Sequence, residues 1–152
     1  MANDHSVFKL LPQALARAYL NANQLNLTSG AWTEVDLDSE SYDPGSNFNT
    51  TTHAFTAPIA GYYLVVGKIT YTQVVADKEY VIGIYLNSAL YALARSHSAL
   101  ASNLDVFFSD IVLLSKDDVV ELYAWQNSGV NTVDVQGGAD DTFLAIHLLS
   151  GT

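Results

Sequence analysis

The segment from residue 42 to residue 63, YDPGSNFNTTTHAFTAPIAGYY, restricts the chain to short strands joined by tight corners. A loop rich in Asp, Pro, Gly, Ser and Asn leads into a short apolar stretch that ends at Phe55. Pro58 has a fixed φ and no N–H to donate, so a strand must stop there. Gly61 permits a tight re-entry into a second strand, which begins with Tyr62 and Tyr63. This pattern predicts an all-β protein.

The rest of the chain continues in the same way, with apolar runs separated by Asn, Asp, Gly or Ser, as expected for a β-sandwich. No long helix is visible, nor an internal repeat of about 20–50 residues. A length of 152 residues suits one domain with one core. The predicted strands cover residues 15–21, 31–37, 51–55, 62–71, 79–86, 91–97, 104–114, 119–126 and 142–149.

Two of these predicted strands, 104–114 and 142–149, are apolar on both faces. A strand of an antiparallel sandwich covers the core with one face, so the second apolar face must meet something else. A neighbouring copy of the chain is the simplest partner. We therefore predict an interface between protomers that contains Phe107, Ile111, Leu113, Phe143, Ala145, His147 and Leu149.

The composition points in the same direction. Hydrophobic residues make up 49% of the chain and charged residues only 14%, against the roughly one quarter that is usual. A monomer whose surface is mainly Ser, Thr and Asn would satisfy these numbers. An obligate oligomer that hides part of its surface satisfies both the numbers and the two-sided strands, and we favour it.

The charge balance argues against two classes of partner. Six Lys and Arg face sixteen Asp and Glu, for a formal net charge of −10, and the basic residues do not cluster. Binding to a phosphate backbone or an anionic membrane surface needs a basic patch. We therefore predict no direct nucleic-acid binding and no membrane association.

Several further features concern the cellular context. The chain has no cysteine, which excludes disulfides, thiolate zinc sites and thiol nucleophiles. It has no apolar run of about eighteen residues that could span a membrane. Its first twenty residues make a poor signal peptide. We expect assembly in the cytoplasm of a host cell rather than secretion.

One element is specific enough to suggest a family. Phe55-Thr56-Ala57-Pro58-Ile59-Ala60-Gly61-Tyr62-Tyr63 resembles the signature of the complement q-type globular head, a member of the tumour necrosis factor superfamily. The resemblance runs from about residue 15 to residue 149. Supporting elements follow in the family's order: Trp32-Thr33-Glu34-Val35, Tyr42, Tyr85-Leu86-Asn87, residues 113–122 and residues 142–148.

The resemblance implies an antiparallel, ten-stranded jelly-roll sandwich that forms a compact homotrimer, with its first and last strands close to the threefold axis. Two departures matter. Asp117-Asp118 stands where the family has Gly-Asp, and no collagen-like Gly-X-Y repeat precedes the domain. The chain is therefore similar to the stand-alone heads of bacterial and phage genomes, and we expect it to be a complete protein of that kind.

The chain divides into a short arm, residues 1–13, and a head domain, residues 14–152. Pro12 breaks any helix in the arm. The arm is either a disordered tail or a docking segment that becomes ordered on a partner. Its apolar residues, the candidates for docking, are Val7, Phe8, Leu10 and Leu11.

Metal and catalytic signals are weak. Asp134, Asp140 and Asp141 lie near Gly137-Gly138 and are calcium candidates, although a simple turn is the favoured interpretation. The acidic stretch from Glu34 to Asp43 starts like a calcium loop but lacks its glycine. The histidines are isolated, and His147 is more consistent with packing than with ligation. No catalytic motif or cofactor fingerprint is present, so we predict no enzyme activity and no cofactor.

The aromatic residues divide into one ring that could bind a partner and four that are expected to be buried. Trp125 lies near the end of a predicted strand, where an exposed ring can stack on a sugar or occupy a protein hot spot. Four other rings are predicted to be buried: Tyr62, Tyr63, Phe108 and Phe143.

Together these features predict a non-enzymatic homotrimer with a structural or adhesive role. The first hypothesis is a phage capsid decoration (cement) protein on the virion surface, which docks through its arm on the major capsid protein or another virion protein. The alternative is a receptor-binding or adhesin tip that recognises a host glycan or protein.

Overall fold

The computed structural model describes residues 13–152, which form twelve β-strands. Nine of the twelve overlap the predicted strands; β3, β4 and β11 were not predicted, and the expected number of ten strands is wrong. The predicted strand 31–37 pairs over only two residues. The strands are β1 (Leu15–Tyr19), β2 (Thr33–Glu34), β3 (Ser39–Tyr42), β4 (Phe48–Asn49), β5 (Ala54–Thr56), β6 (Gly61–Thr72), β7 (Lys78–Leu86), β8 (Ala89–Ser98), β9 (Leu104–Leu114), β10 (Val119–Gln126), β11 (Asp134–Val135) and β12 (Phe143–Gly151).

The strands form two antiparallel sheets that pack face to face. Sheet A has the order β9-β6-β12-β1-β3, and β11 pairs with the end of β6. Sheet B has the order β4-β5-β10-β7-β8, and β2 pairs with β10. The first and last strands, β1 and β12, are direct neighbours. The architecture is the jelly-roll-like sandwich that the sequence predicts.

The core lies between the sheets, because each long strand turns every second residue inward. In β6 the inward residues include Tyr63 and Val65, in β10 Leu122, and in β12 Leu144 and Ile146, all of them fully buried. The core between the two sheets is therefore filled by every second residue of these strands, as the two-residue period of a β-strand requires.

The corner at Pro58 is tied to the turn between β9 and β10. The Ala57 N–H donates to the Asp118 carbonyl at 2.8 Å, and the Asp117 N–H donates to the Ala57 carbonyl at 2.8 Å. Asp117 has a φ of 70°, a left-handed conformation that glycine favours and aspartate tolerates. The departure from Gly-Asp at this turn thus leaves the turn itself in place. Gly61 is required for close approach, since a Cβ there would lie 2.4 Å from the Ser150 carbonyl oxygen.

A buried tyrosine joins the two sheets. Tyr71 of β6 donates its hydroxyl proton to the Val81 carbonyl at 2.6 Å and accepts from the Trp125 N–H at 3.2 Å. Burial raises the pKa of Tyr71 far above its ordinary value, so the phenol stays neutral. The hydroxyl therefore satisfies two backbone groups of sheet B from a side chain of sheet A.

Replacing Tyr71 with phenylalanine should leave these two groups without a partner. We expect Tyr71→Phe to lower the free energy of unfolding by about 1–3 kcal/mol, measured by urea denaturation at one fixed protein concentration. Tyr91→Phe, which alters an exposed ring, is the control. Equal stability of the two variants would contradict the structural role of this hydroxyl.

Candidate functional site

The side of sheet A that faces away from the core, here called outer face A, is the first candidate surface. Directly paired residues of antiparallel strands project to the same side, so the strand register defines this face. Between β6 and β9 it joins Tyr62 to Leu113, Leu64 to Ile111, and Lys68 to Phe107. Between β6 and β12 it joins Leu64 to His147, Val66 to Ala145, and Lys68 to Phe143.

Outer face A exposes large apolar side chains. Tyr62 is 47% exposed, Phe107 59%, Ile111 56%, Leu113 57%, and Leu149, in the bulge near the end of β12, 54%. Scattered apolar residues are normal on a monomer, whereas a contiguous patch marks an interaction surface. The face is therefore suited to association with another protein surface.

The structure brings together the residues that the sequence predicts for the protomer interface. Phe107, Ile111 and Leu113 lie on β9, and Phe143, Ala145, His147 and Leu149 on β12, with β6 between the two strands. Their role in an interface stays a prediction.

Sequence reasoning missed the contribution of β6, namely Tyr62, Leu64 and Val66. The prediction that Tyr62 is buried is wrong: its neighbour Tyr63 faces the core, which turns Tyr62 outward. Tyr63 and Phe108 are buried as predicted, and Phe143 is half-buried. The apolar residues at every second position after Tyr62 were the available signal.

One end of outer face A carries charges that are paired within the chain. Lys68 lies 3.2 Å from Asp105 Oδ2 and donates to the Asp140 carbonyl at 2.9 Å. The Arg17 guanidinium lies 4.1 Å from the centroid of the Phe143 ring and donates to Ser41 Oγ at 2.7 Å. The face thus runs from a polar end, where Lys68 and Arg17 are bonded within the chain, to an apolar end around Tyr62, Leu113 and Leu149.

His147 is held in place by its neighbour on β3. Its Nε2 lies 2.7 Å from the Tyr42 hydroxyl, and the two rings meet edge to face with centroids 5.6 Å apart. This agrees with the prediction of a packed rather than a ligating histidine.

The three calcium candidates are not brought together into a site. Asp134 is buried, and its carboxylate accepts from the Asn26 N–H at 2.8 Å and from the Gln73 side chain. Asp141 Oδ2 accepts from Gln136 Nε2 at 3.0 Å, and Asp140 is exposed. Within residues 13–152 no three His, Asp or Glu groups are placed to hold a metal ion. Asp134 and Asp141 serve as loop anchors through these side-chain hydrogen bonds.

A pair of glutamates on the outer side of sheet B was not predicted. Each carboxylate has one buried oxygen, Glu34 Oε1 and Glu121 Oε2, without a hydrogen-bond partner in the described part of the chain. Burial first, and then the charge of Glu121, raise the pKa of Glu34, whereas burial alone raises the pKa of Glu121. The two residues are distant in sequence, and only the pairing of β2 with β10 makes them neighbours.

The docking arm lies outside the residues that the structure describes, as do its candidates Val7, Phe8, Leu10 and Leu11. The part of the chain that the structure describes contains no helix long and apolar enough to cross a membrane.

Solved structures of two proteins are similar to this chain over nearly its whole length. The globular domain of zebrafish complement 1qA protein matches with a TM-score of 0.68 at 13% identity, over 91% of this chain and 99% of that one. The Eiger TNF from S. frugiperda matches with a TM-score of 0.68 at 12% identity, over 93% and 96%. No family model and no curated protein matches the sequence. At such low identity the likeness shows the fold alone: the chain has a complement q/TNF-like fold.

The pair formed by Glu34 and Glu121 generates a pH-dependent prediction. A carboxyl group whose pKa is raised by folding opposes folding once it ionises, so its unfavourable contribution is absent at acid pH and grows as the pH rises through the folded-state pKa. We expect Glu34→Gln to stabilise the protein at neutral pH by on the order of 0.5 kcal/mol, a value kept small by solvent screening. The gain should vanish toward pH ~4, where the native carboxyl is also neutral.

The measurement is the denaturant midpoint of the native chain and of Glu34→Gln between pH ~4 and neutral pH, at one protein concentration. Glu40→Gln on β3 changes an exposed carboxylate and serves as the matched control. A loss of stability in Glu34→Gln at neutral pH would contradict the unfavourable pairing.

Proposed function

We propose that this protein is a non-enzymatic homotrimer assembled through outer face A. The observation that carries the proposal is the contiguous set of half-exposed apolar side chains on β6, β9 and β12. Covering them would gain roughly 25 cal/mol for each Å² of apolar surface removed from water. Lys68 on the same face is already paired with Asp105, so its burial does not leave that ammonium group without a counter-charge.

Threefold symmetry follows from the resemblance to the complement q and tumour necrosis factor jelly rolls, which implies that the first and last strands lie near the axis. In this chain β1 and β12 are adjacent in sheet A, and Leu15 of β1 is paired with His147. Three copies that turn outer face A inward would form a closed ring, in which every copy is covered on this face.

Within this architecture we propose a structural role on a phage virion, as a capsid decoration protein. The arm would dock on a major capsid protein or another virion protein through Val7, Phe8, Leu10 and Leu11. The described chain supports this route at its first residue, because the Gln13 carbonyl accepts from Asn47 Nδ2 at 2.7 Å. The arm is therefore joined to a fixed point next to β1, on the sheet that would face the axis.

A receptor-binding or adhesin role is the second candidate. It is favoured by a small pocket beside Trp32 and Trp125 on the outer side of sheet B. In the proposed trimer this side of the protomer stays exposed.

The oligomeric state provides the first test. Sedimentation equilibrium should give three times the 16.5 kDa mass of one chain. Ile111→Asp should yield monomers, because a carboxylate in the apolar interface cannot be hydrated. Leu100→Asp, which alters an exposed leucine outside outer face A, should remain trimeric. A stable monomer or dimer of the unaltered chain would overturn the proposal.

The arm provides the second test. Deleting residues 1–12 keeps Gln13 and its bond to Asn47, so we expect an unchanged number of protomers and unchanged thermal stability but a loss of particle binding. The measurement is the amount of full-length and of truncated protein that cosediments with virus particles, which are purified from a host that produces this protein. Leu100→Asp is the control.

The possible results of this second experiment distinguish the docking role of the arm from the role on the virion. Equal cosedimentation of the truncated and full chains would show that the arm has no docking role. No cosedimentation of the full chain would overturn the virion role and leave the trimer to be judged by its mass.

A further inference from the structure

The outer side of sheet B carries a cluster of four aromatic rings. Tyr85 and Tyr123 stack with ring centroids 3.8 Å apart, and Trp32 meets the Tyr85 ring edge-on at 5.8 Å. Trp125 is tilted by 45° against Trp32 at 6.5 Å. The cluster joins side chains of β10 and β7 to the segment just before β2, so strand pairing fixes its geometry.

A pocket of about 250 Å³ opens beside the two tryptophans. The register places Val81 between Trp125 and Arg95, so these three side chains share the outer side of the sheet. Val81 is only 1% exposed although it faces away from the core, and it forms the floor. The lining consists of Trp32, Val81, Leu90, Leu93, Arg95 and Trp125.

The size of the pocket limits what it holds. Sites for drug-sized ligands occupy roughly 300–1,000 Å³, so this pocket takes about one small ring. The face of an aromatic ring is the negative part of its π-system and attracts the slightly positive C–H groups of an apolar ring face.

The pocket has a polar edge at Arg95, one of its lining residues, which is paired with Glu79. Arg95 Nη1 donates to Glu79 Oε1 at 2.8 Å, and His97 Nε2 lies 3.8 Å from Glu79 Oε2. The guanidinium has five N–H groups and uses only part of them here, while the carboxylate retains free lone pairs. Because the two charges compensate each other, the edge suits hydroxyl groups better than an ionised ligand.

The tryptophan wall is set before any ligand arrives. A Cβ on Gly83 would lie 2.6 Å from Trp32 Cζ3, so the indole rests directly on the backbone of β7. The absence of a side chain at Gly83 thus creates the slot that Trp32 fills. A rigid aromatic wall lowers the entropic cost of binding.

We propose that this pocket binds one neutral pyranose unit of a saccharide. The C–H face of the sugar lies on the tryptophans, and its hydroxyls bond with Arg95 and Glu79. The net charge of −10 disfavours an acidic sugar, and the mutually compensated Arg95–Glu79 pair offers no net charge to hold an ionised ligand. The inference rests on the adhesive role considered above. It does not depend on trimer formation, since all six lining residues belong to one protomer.

The protein reports on this pocket by itself, because its only two tryptophans line it. Titration of the full chain with glucose, galactose, mannose and N-acetylglucosamine should give a saturable change in tryptophan emission for at least one of them. Glucuronic acid and tetramethylammonium should give none at the same concentrations.

Two variants that retain both tryptophans test the geometry. Arg95→Gln should weaken binding about tenfold or more by loss of charged hydrogen bonds, and Gly83→Ala should weaken it by displacing Trp32. Tyr91→Ala, which removes an exposed ring of β8 that does not line the pocket, should bind like the native chain. Ile111→Asp should also bind normally per protomer, which separates failure of the trimer from failure of the pocket.

Three results would overturn the proposal. The first is the absence of saturation with every neutral sugar up to its solubility limit. The second is equal affinity of Arg95→Gln, Gly83→Ala and the native chain. The third is stronger binding of glucuronic acid or tetramethylammonium than of any neutral sugar.

Discussion

Sheet A carries apolar side chains on both of its sides, whereas a two-layer sandwich covers only one of them. The inner side is satisfied by residues such as Val65 and Ile146, which are fully buried against sheet B. The outer side leaves Phe107, Ile111 and Leu113 more than half exposed. This surplus of apolar surface is the constraint from which the proposed self-association follows.

The outer sides of the two sheets differ in how their polar and apolar residues are distributed. Outer face A has an ion pair and a cation–π contact at one end and is apolar at the other end, which suits burial against identical copies. The outer side of sheet B instead mixes aromatic rings with an ion pair and with two glutamates of raised pKa, a combination that suits contact with water and a small ligand. If three copies assemble through outer face A, three pockets face outward, and weak single-site binding is strengthened by multivalency.

The sequence predicts the long strands well because each contains enough alternating residues to reveal its faces. Strands β9 and β12 are the clearest cases, and the Pro58 corner marks the entry to β6 correctly. Strands β4 and β11 are two residues long and exist because longer strands pair with them. Such pairing has no local signal.

The two candidate surfaces likewise differ in whether the local sequence predicts them or only strand pairing creates them. The residues of outer face A on β9 and β12 were predictable from a period of two, although their function as an interface was not thereby tested. The aromatic pocket was not predictable, because Trp32 and Trp125 meet only through the pairing of β2 and β10. Trp125 was noted for its position near a strand end, yet its partner and the slot above Gly83 required the fold.

Tyr71 connects the two surfaces that carry the proposals. It belongs to β6, whose outward residues form the centre of outer face A, while its own side chain crosses the core. Its hydroxyl bonds with the backbone of Val81 and Trp125, which form the floor and one wall of the pocket. The buried, neutral phenol of Tyr71 thus holds the backbone of the pocket from sheet A, the sheet through which the proposed trimer assembles.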